Sequence, residues 1–178
     1  GAGSCIFTFA GTDCAVKPVL FLAHLDVVPV DTASGMWKFP PFSGTIQNDT
    51  LFGRGALDDK SVACAMMEAM EKQLAKGIKS KRTIIFAFGH DEETGGKSGA
   101  QEIVKYFRSQ KISAEFICDE GFGVMEGLVP GVNKPVAIIG ISEKGYLTVK
   151  LTVDIAEGHS AMPKDENAVG ILTNVLGK

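Results

Sequence analysis

Clusters of metal-type ligands follow apolar runs at three places in this chain: His24-Leu25-Asp26 after residues 19–23, Asp91-Glu92-Glu93 after residues 83–88, and Asp119-Glu120 after residues 116–118. A fourth cluster, Asp58-Asp59, follows the glycine-punctuated stretch Gly53-Arg54-Gly55-Ala56-Leu57. Short, unbroken apolar runs read as strands buried on both faces, which places them in a parallel sheet under helices. The carboxyl ends of such strands line the ligand crevice of an open α/β sheet, so His and carboxylates at successive strand exits converge on one place.

The remaining periodicities agree with that architecture. Residues 5–10 read as a further strand, and residues 60–76 as a helix with Val62, Met66, Ala69, Met70 and Leu74 on one stripe and Gly77 as its stop. Residues 98–109 read as a second helix and 114–118 as another strand, so β and α alternate as a mainly parallel sheet flanked by helices requires. Residues 29–48, rich in Pro, Gly, Ser and Thr and holding the single tryptophan, Trp37, read as an ordered loop over the rim of the site. Residues 135–141 read as one more strand. Beyond them the pattern changes: Leu147, Val149, Leu151 and Val153 alternate with polar residues, the period of a strand with one wet face. We therefore place a domain boundary at 141/142, with a second, α+β module in residues 142–178 that ends in a helical stretch from about Glu166.

Composition excludes several classes of partner. A net charge of −3, with 22% charged residues and no basic stripe, argues against nucleic acid. No apolar run approaches the roughly eighteen residues of a membrane span. Cys5, Cys14, Cys64 and Cys118 lack Cys-x-x-Cys spacing, and Cys64 and Cys118 fall in apolar segments where buried free thiols are usual. Asn48-Asp49-Thr50 is a glycosylation sequon in a turn-like stretch.

Each cluster has an ordinary reading beside the chemical one. His24 could end a strand with Asp26 solvated beyond it, one of Asp58 and Asp59 could cap the following helix, and the acidic triplet could be a solvated loop. Adjacent like charges repel unless compensated, however, and divalent cations supply that compensation. All four clusters together point to metal. Mixed His and carboxylate donors suit Zn²⁺, with Co²⁺ or Mn²⁺ as substitutes, and a pair of such ions lies about 3.5–4 Å apart. A phosphoesterase would add basic residues for phosphate, and Arg54 and Lys60 are the nearby candidates.

The motifs Ala23-His24-Leu25-Asp26-Val27-Val28-Pro29, Pro40-Pro41-Phe42-Ser43-Gly44, Gly53-Arg54-Gly55-Ala56-Leu57-Asp58-Asp59-Lys60, Gly89-His90-Asp91-Glu92-Glu93, Asp119-Glu120-Gly121, Ser142-Glu143-Lys144-Gly145 and Gly158-His159-Ser160 resemble those of a known family. It is the co-catalytic di-zinc exopeptidase superfamily of aminoacylases, glutamate carboxypeptidases and dipeptidases. Within it the chain is similar to the branch of carboxypeptidase S and the N-fatty-acyl-amino-acid hydrolase/synthase. The resemblance implies that His24 and Asp119 bind one zinc, that Asp58 bridges two, and that Glu93 binds the other. It implies Glu92 as general base, Asp26 as the residue orienting His24, a cis Asp58–Asp59 peptide, and His159 as a lid histidine that serves the partner's site in dimeric members. His90 matches no ligand position.

The implied reaction is release of a C-terminal amino acid from a peptide. Cleavage or synthesis of an N-acyl amino acid is the alternative, and a non-catalytic scaffold is the reading from a different class. The family's last zinc-binding histidine has no counterpart after His159, so the chain reads as an internal fragment, inactive alone. The implied partners are a small peptide or N-acyl amino acid and a second copy joined through the lid/dimerisation domain. The implied compartment is vacuolar, lysosomal or secreted.

Overall fold

The computed structural model describes residues 3–121, 123–142, 144–156 and 167–177 of the 178-residue chain. The chain divides into two compact units, Gly1–Ile139 and Gly140–Lys178.

The first unit is built on a four-stranded sheet in the order β1 (Cys5–Phe9), β5 (Ile84–Gly89), β2 (Val19–His24), β6 (Ile117–Cys118). β2 runs parallel to both β5 and β6, and β1 is antiparallel to β5 at the edge. The alternation of side chains across a strand divides the apolar runs between the two faces. Leu20, Ile85 and Ala87 meet Ile103 and Phe107 of α2 (Ala100–Ser109) on one face. Ala23, Phe86 and Phe88 meet Ala63 and Met70 of α1 (Lys60–Ala75) on the other. Phe86 is the pivot of this second layer, edge-on to Phe9 at 5.2 Å and to Phe21 at 5.9 Å. Cutting such a buried ring back to Ala costs about 3–5 kcal/mol.

Both helices stop and start near the positions the sequence indicates. Gly77, at φ +68°, ends α1 in the left-handed conformation. The stripe of α1 keeps Val62, Met66 and Met70 of the expected one and adds Ala63 and Met67. Ala63 and Met70 are buried and Val62, Met66 and Met67 half-buried, whereas Ala69 is exposed and Leu74 is 57% exposed. At about 100° per residue the centre of the stripe turns by only about 30°, toward Ala63 and Met67 and away from Ala69.

The loop after β2 ends in a hairpin of β3 (Thr45–Gln47) and β4 (Thr50–Phe52). Its two turn residues, Asn48 and Asp49, both have positive φ, at 50° and 58°, the hand that tight hairpin turns need. Aromatic and cationic contacts hold the rim. Phe39 packs on Phe52 at 5.0 Å, Lys38 lies over both rings, and the Arg54 guanidinium lies over Trp37 at 5.3 Å.

Later expectations are met less fully. The strand expected over 135–141 is only β8 (Val136–Ala137), paired antiparallel with β7 (Val124–Met125) in a separate two-stranded sheet. In the second unit, residues 146–155 alternate as expected yet form no strand among the described residues. A strand exists only where a neighbour takes its backbone N–H and C=O groups, and the side-chain period alone does not supply one. This unit does contain α3 (Ala168–Leu176), capped by Asn167, whose side-chain oxygen accepts from the Gly170 N–H at 2.9 Å.

The cysteines also depart from expectation. All four are free, as anticipated, but Cys64 and Cys118 are exposed rather than buried. Cys64 lies off the buried stripe of α1, and Cys118 lies on β6 at the sheet edge.

Candidate metal centre

The chain order of the sheet makes the crevice. The parallel strands lie in the order β5-β2-β6: the chain leaves β2 through α1 on one face for β5 and returns through α2 on the other face to β6, on the far side of β2. The connections diverge between β2 and β6, the topological switch point where α/β sheets bind ligands, and the exit of β5 lies next to it. His24 ends β2 and the Glu92–Thr94 turn follows β5, so both acidic and imidazole donors reach the same opening.

His24 is the buried centre, 3% exposed. Its Nδ1 is 3.1 Å from the Asp26 carbonyl oxygen and 3.4 Å from the Asp26 carboxylate, and its Nε2 is 3.0 Å from Asp58 Oδ1. A carbonyl oxygen can only accept, so Nδ1 carries the proton and donates it, and Nε2 is the atom that faces the carboxylates. Glu120 stands 3.7 Å and Glu92 4.0 Å from Nε2.

Asp26 does more than touch the imidazole. Its two carboxylate oxygens accept the backbone N–H groups of Glu92 and Glu93, at 3.1 and 3.0 Å. One side chain therefore joins the exit of β2 to the exit of β5. Asp91, the first member of the acidic triplet, is turned away from the cluster and supports the backbone instead. It accepts from Ser98 N–H at 2.6 Å and Gly99 N–H at 2.8 Å, just ahead of α2. His90 pairs through Nδ1 with Ser4 Oγ at 2.7 Å.

Two groups of donors could each hold a cation: His24, Asp58 and Glu93, and His24, Glu92 and Glu120, the atoms of each lying within 4.8 Å of one another. The structure thus brings together His24, Asp26, Asp58, Glu92 and Glu93 of the residues singled out from the sequence. Asp119 lines the same cavity as His24, Glu92 and Glu120, but its carboxylate accepts from the Glu120 N–H at 2.9 Å and belongs to neither donor group. His159 lies outside the described residues. Sequence reasoning passes over Glu120 as a donor although it singles out the Asp119-Glu120 pair. Adjacent residues cannot be told apart as ligands until the strand's last turn is known.

The electrostatics favour a bound cation. Burial raises Glu92 above the usual carboxylate range, and Glu93, Asp26 and Asp58 push it the same way against the pull of His24. Burial likewise raises Glu120, with Asp59, Asp58 and Glu92 adding to it against His24. Burial pulls the His24 imidazole down, yet Asp58, Glu120, the Asp26 carbonyl and Glu92 together hold it above its ordinary value. One further atom, Asp59 Oδ1, is buried without a hydrogen-bond partner. Mutually repelling carboxylates around one imidazole are the donor set that a divalent cation satisfies.

The Asp58–Asp59 peptide is cis, as the resemblance implies. Gly55, at φ +81°, sits against Val27 and Lys60 so closely that a Cβ there would collide with Val27, which lets the Asp58 turn lie against the exit of β2. A cavity of about 290 Å³ adjoins the cluster, with His24, Glu92 and Glu120 on its polar wall and Leu20, Leu22, Ile103 and Phe107 among its apolar ones.

Comparisons with known proteins agree with this geometry. A sequence profile described as peptidase family M20/M25/M40 matches residues 20–178. A probable carboxypeptidase S-like 2 of Dictyostelium discoideum is 45% identical over 177 residues, covering 98% of this chain and 34% of that protein. An N-fatty-acyl-amino acid synthase/hydrolase of Danio rerio is 41% identical over 178 residues, covering 100% of this chain and 34% of its own. An M20 family metallo-carboxypeptidase from Sulfolobus solfataricus superposes with a TM-score of 0.58 at 29% identity, over 68% of this chain and 26% of its own. The chain spans about a third of the length of the curated relatives it matches.

Proposed function

The chain belongs to peptidase family M20/M25/M40, and from that premise we propose that the protein containing it is a zinc hydrolase that cleaves an amide next to a free carboxylate, releasing a C-terminal amino acid from a peptide. The observation that carries the reading is the convergence of His24, Asp58 and Glu93, with their donor atoms within 4.8 Å of one another, at the exits of β2 and β5. The relative named probable carboxypeptidase S-like 2 supports the peptide substrate. A second reading, hydrolysis or synthesis of an N-acyl amino acid, rests on the similarly close relative named for that activity.

Two Zn²⁺ ions are proposed, with Co²⁺ or Mn²⁺ as substitutes. His24 through Nε2, Asp58 as the bridging residue and Glu93 would hold them, with the Asp119-Glu120 pair supplying a further donor. The distances favour Glu120, 3.7 Å from His24 Nε2, over the Asp119 expected from the resemblance. A divalent ion bound there supplies Lewis-acid polarisation of the amide carbonyl and acidifies a water.

The chain's own residues do the rest. Glu92 accepts a proton from the attacking water and delivers it to the leaving amide nitrogen. Its raised pKa, set first by burial, suits a group that must hold the proton between the two steps. Asp26 keeps Glu92 in place through the two backbone amides, and the Asp26 carbonyl keeps the His24 proton on Nδ1.

We also propose pairing of two copies through the module of residues 142–178, with His159 serving the partner's site, and a vacuolar, lysosomal or secreted address. The exposed turn that carries the Asn48 sequon supports the last point. Among the described residues no helix is long and apolar enough to cross a membrane.

The test is metal stoichiometry and amidase activity of the full-length protein on a dipeptide and an N-acyl amino acid. Two Zn²⁺ per chain and chelator-sensitive release of amino acid are the expected result, and the faster substrate chooses between the two readings. A protein that binds no divalent ion and turns over neither substrate sinks both.

A further inference from the structure

Asp59 is fully buried at the start of α1, yet it takes no part in the chemistry described so far. Its position is that of a helix cap, but its side chain caps nothing: the backbone carbonyl of Asp59 takes the N–H groups of Val62 and Ala63, at 3.0 and 3.2 Å. The carboxylate turns the other way. Its Oδ2 accepts the backbone N–H of His24 at 3.2 Å, from a residue 35 positions earlier in the chain.

The sheet explains why that amide needs an acceptor. The Leu20 N–H donates to the Phe116 carbonyl on the β6 side of β2, at 3.2 Å. Amide directions repeat every second residue along a strand, so the His24 N–H points to the same side. The pairing of β2 with β6 ends at Phe21 and Cys118, before His24 is reached. A buried amide without a partner is destabilising, and Asp59 takes the place of the strand that has left. The next residue acts on the next backbone group: Lys60 Nζ donates to the Leu25 carbonyl at 2.6 Å. Successive residues at the start of α1 thus hold successive backbone groups at the exit of β2.

We propose that Asp59 is a positioning residue of the metal centre, whose buried carboxylate fixes His24 against Asp58 by accepting the His24 backbone N–H. The inference rests on the metal-hydrolase reading above. His24 and Asp58 come from different elements, and their side chains meet at 3.0 Å. Asp58 precedes Asp59 directly, so the bond from Asp59 to His24 sets the separation of the two donors from below. The acceptor oxygen, more than the charge, is what the position requires.

The experiment uses the full-length protein with Asp59→Ala and Asp59→Asn, reading Zn²⁺ affinity by competition with a chromogenic chelator, kcat and KM separately, and the thermal midpoint. Asp59→Ala, which removes the acceptor, is expected to weaken Zn²⁺ binding by about 10–100-fold, the range found when residues supporting metal ligands are lost. Its kcat is expected to fall with KM nearly unchanged. Asp59→Asn, which keeps a carbonyl oxygen for the His24 N–H, is expected to restore both most of the way. If the Ala variant does not fold, Asp59→Cys, which fills the space with a poor acceptor, takes its place. Native Zn²⁺ affinity and kcat in the folded Ala or Cys variant overturn the inference, as does an Asn variant as impaired as they are. A wild-type protein that binds no Zn²⁺ overturns the metal-hydrolase reading and this inference with it, whereas an active, zinc-bound wild type with an indifferent Asp59→Ala overturns the inference alone.

Discussion

The exits of β2 and β5 and the exit of β6 all carry acidic residues, but they are built to different standards. At β2 and β5 the strands are six residues long, and Ala23, Phe86, Ala87 and Phe88 are buried. The residues beyond them are tied from several directions: Asp26 to the amides of Glu92 and Glu93, Leu25 N–H to the Gly89 carbonyl, and Lys60 Nζ to the Leu25 carbonyl. At β6 the ladder is two residues long, and Phe116 and Ile117 are more than half exposed. Among the described residues the Asp119 carboxylate bonds only the N–H of its neighbour Glu120. A donor set need not be equally rigid throughout. One wall fixes the geometry, and the other brings charge up to it.

The largest effect expected from this contrast falls on the rigid wall. Asp58→Ala in the full-length protein is expected to lose both bound metal and turnover, whereas Glu92→Ala keeps its metal and loses about 10²–10⁴-fold in kcat, the usual share of a general base. Metal content by elemental analysis beside kcat separates the two, and turnover retained by the Glu92 variant removes it from the role of base.

The softer wall should respond less. Glu120→Ala is expected to weaken Zn²⁺ binding by about 10–100-fold, and Asp119→Ala by less, since Glu120 is the residue that reaches His24. The reverse order would mean that Asp119 is the ligand and that the exit of β6 rearranges when metal binds.

Amide hydrogen exchange sharpens the comparison without any mutation. The β2 and β5 amides of Ala23, Phe86 and Phe88 are expected to exchange slowly, near the limit of global unfolding, and those of Ile117 and Cys118 much faster. Equal protection at all these positions would end the distinction between the walls.

The smallest effect is on pH. Glu92 and Glu120 are raised chiefly by burial, and His24 is raised by Asp58, Glu120, the Asp26 carbonyl and Glu92 against its burial. A group whose pKa is higher folded than unfolded stabilises the fold below its unfolded value, and that contribution is lost as pH rises through the folded value. The site's contribution to stability without metal is therefore full near pH ~4 and declines through and beyond the ordinary imidazole value of about 6.5. The thermal midpoint of metal-free protein is expected to be a few degrees higher at about pH 5.5 than at about pH 8, with Zn²⁺ removing the difference. A metal-free midpoint that rises across that interval would contradict the crowding of charge at His24.

What was legible in the sequence follows the same division. β2 and β5 are buried on both faces, so they are written as unbroken apolar runs, and the residues that leave them could be placed at the site without coordinates. The stripe of α1 was legible only to within one residue, because Ala69 and Leu74 satisfy the helical period as well as Ala63 does. The alternation over 146–155 tells which side of a strand would face water but not whether a neighbour is present. Apolar surroundings in sequence misplaced Cys64 and Cys118, since an exposed helix face and a sheet edge can both carry apolar residues. The sequence allows one of Asp58 and Asp59 to start the helix, and the backbone of Asp59 does so. The attachment of its side chain to His24 depends on where β6 stops, and that is a fact of pairing rather than of composition.

The rim loop has a consequence for divergence. It leaves after β2 and returns at the β3–β4 hairpin, fastened by the Arg54 guanidinium over Trp37 and by the edge-on contact of Phe39 with Phe52. The Phe86 cluster beneath α1 is made by other residues. The loop can therefore change between these fastenings without disturbing the packing that holds β2 and β5 beneath α1. A protein engineer grafting residues 29–44 from one relative into another would be testing that independence.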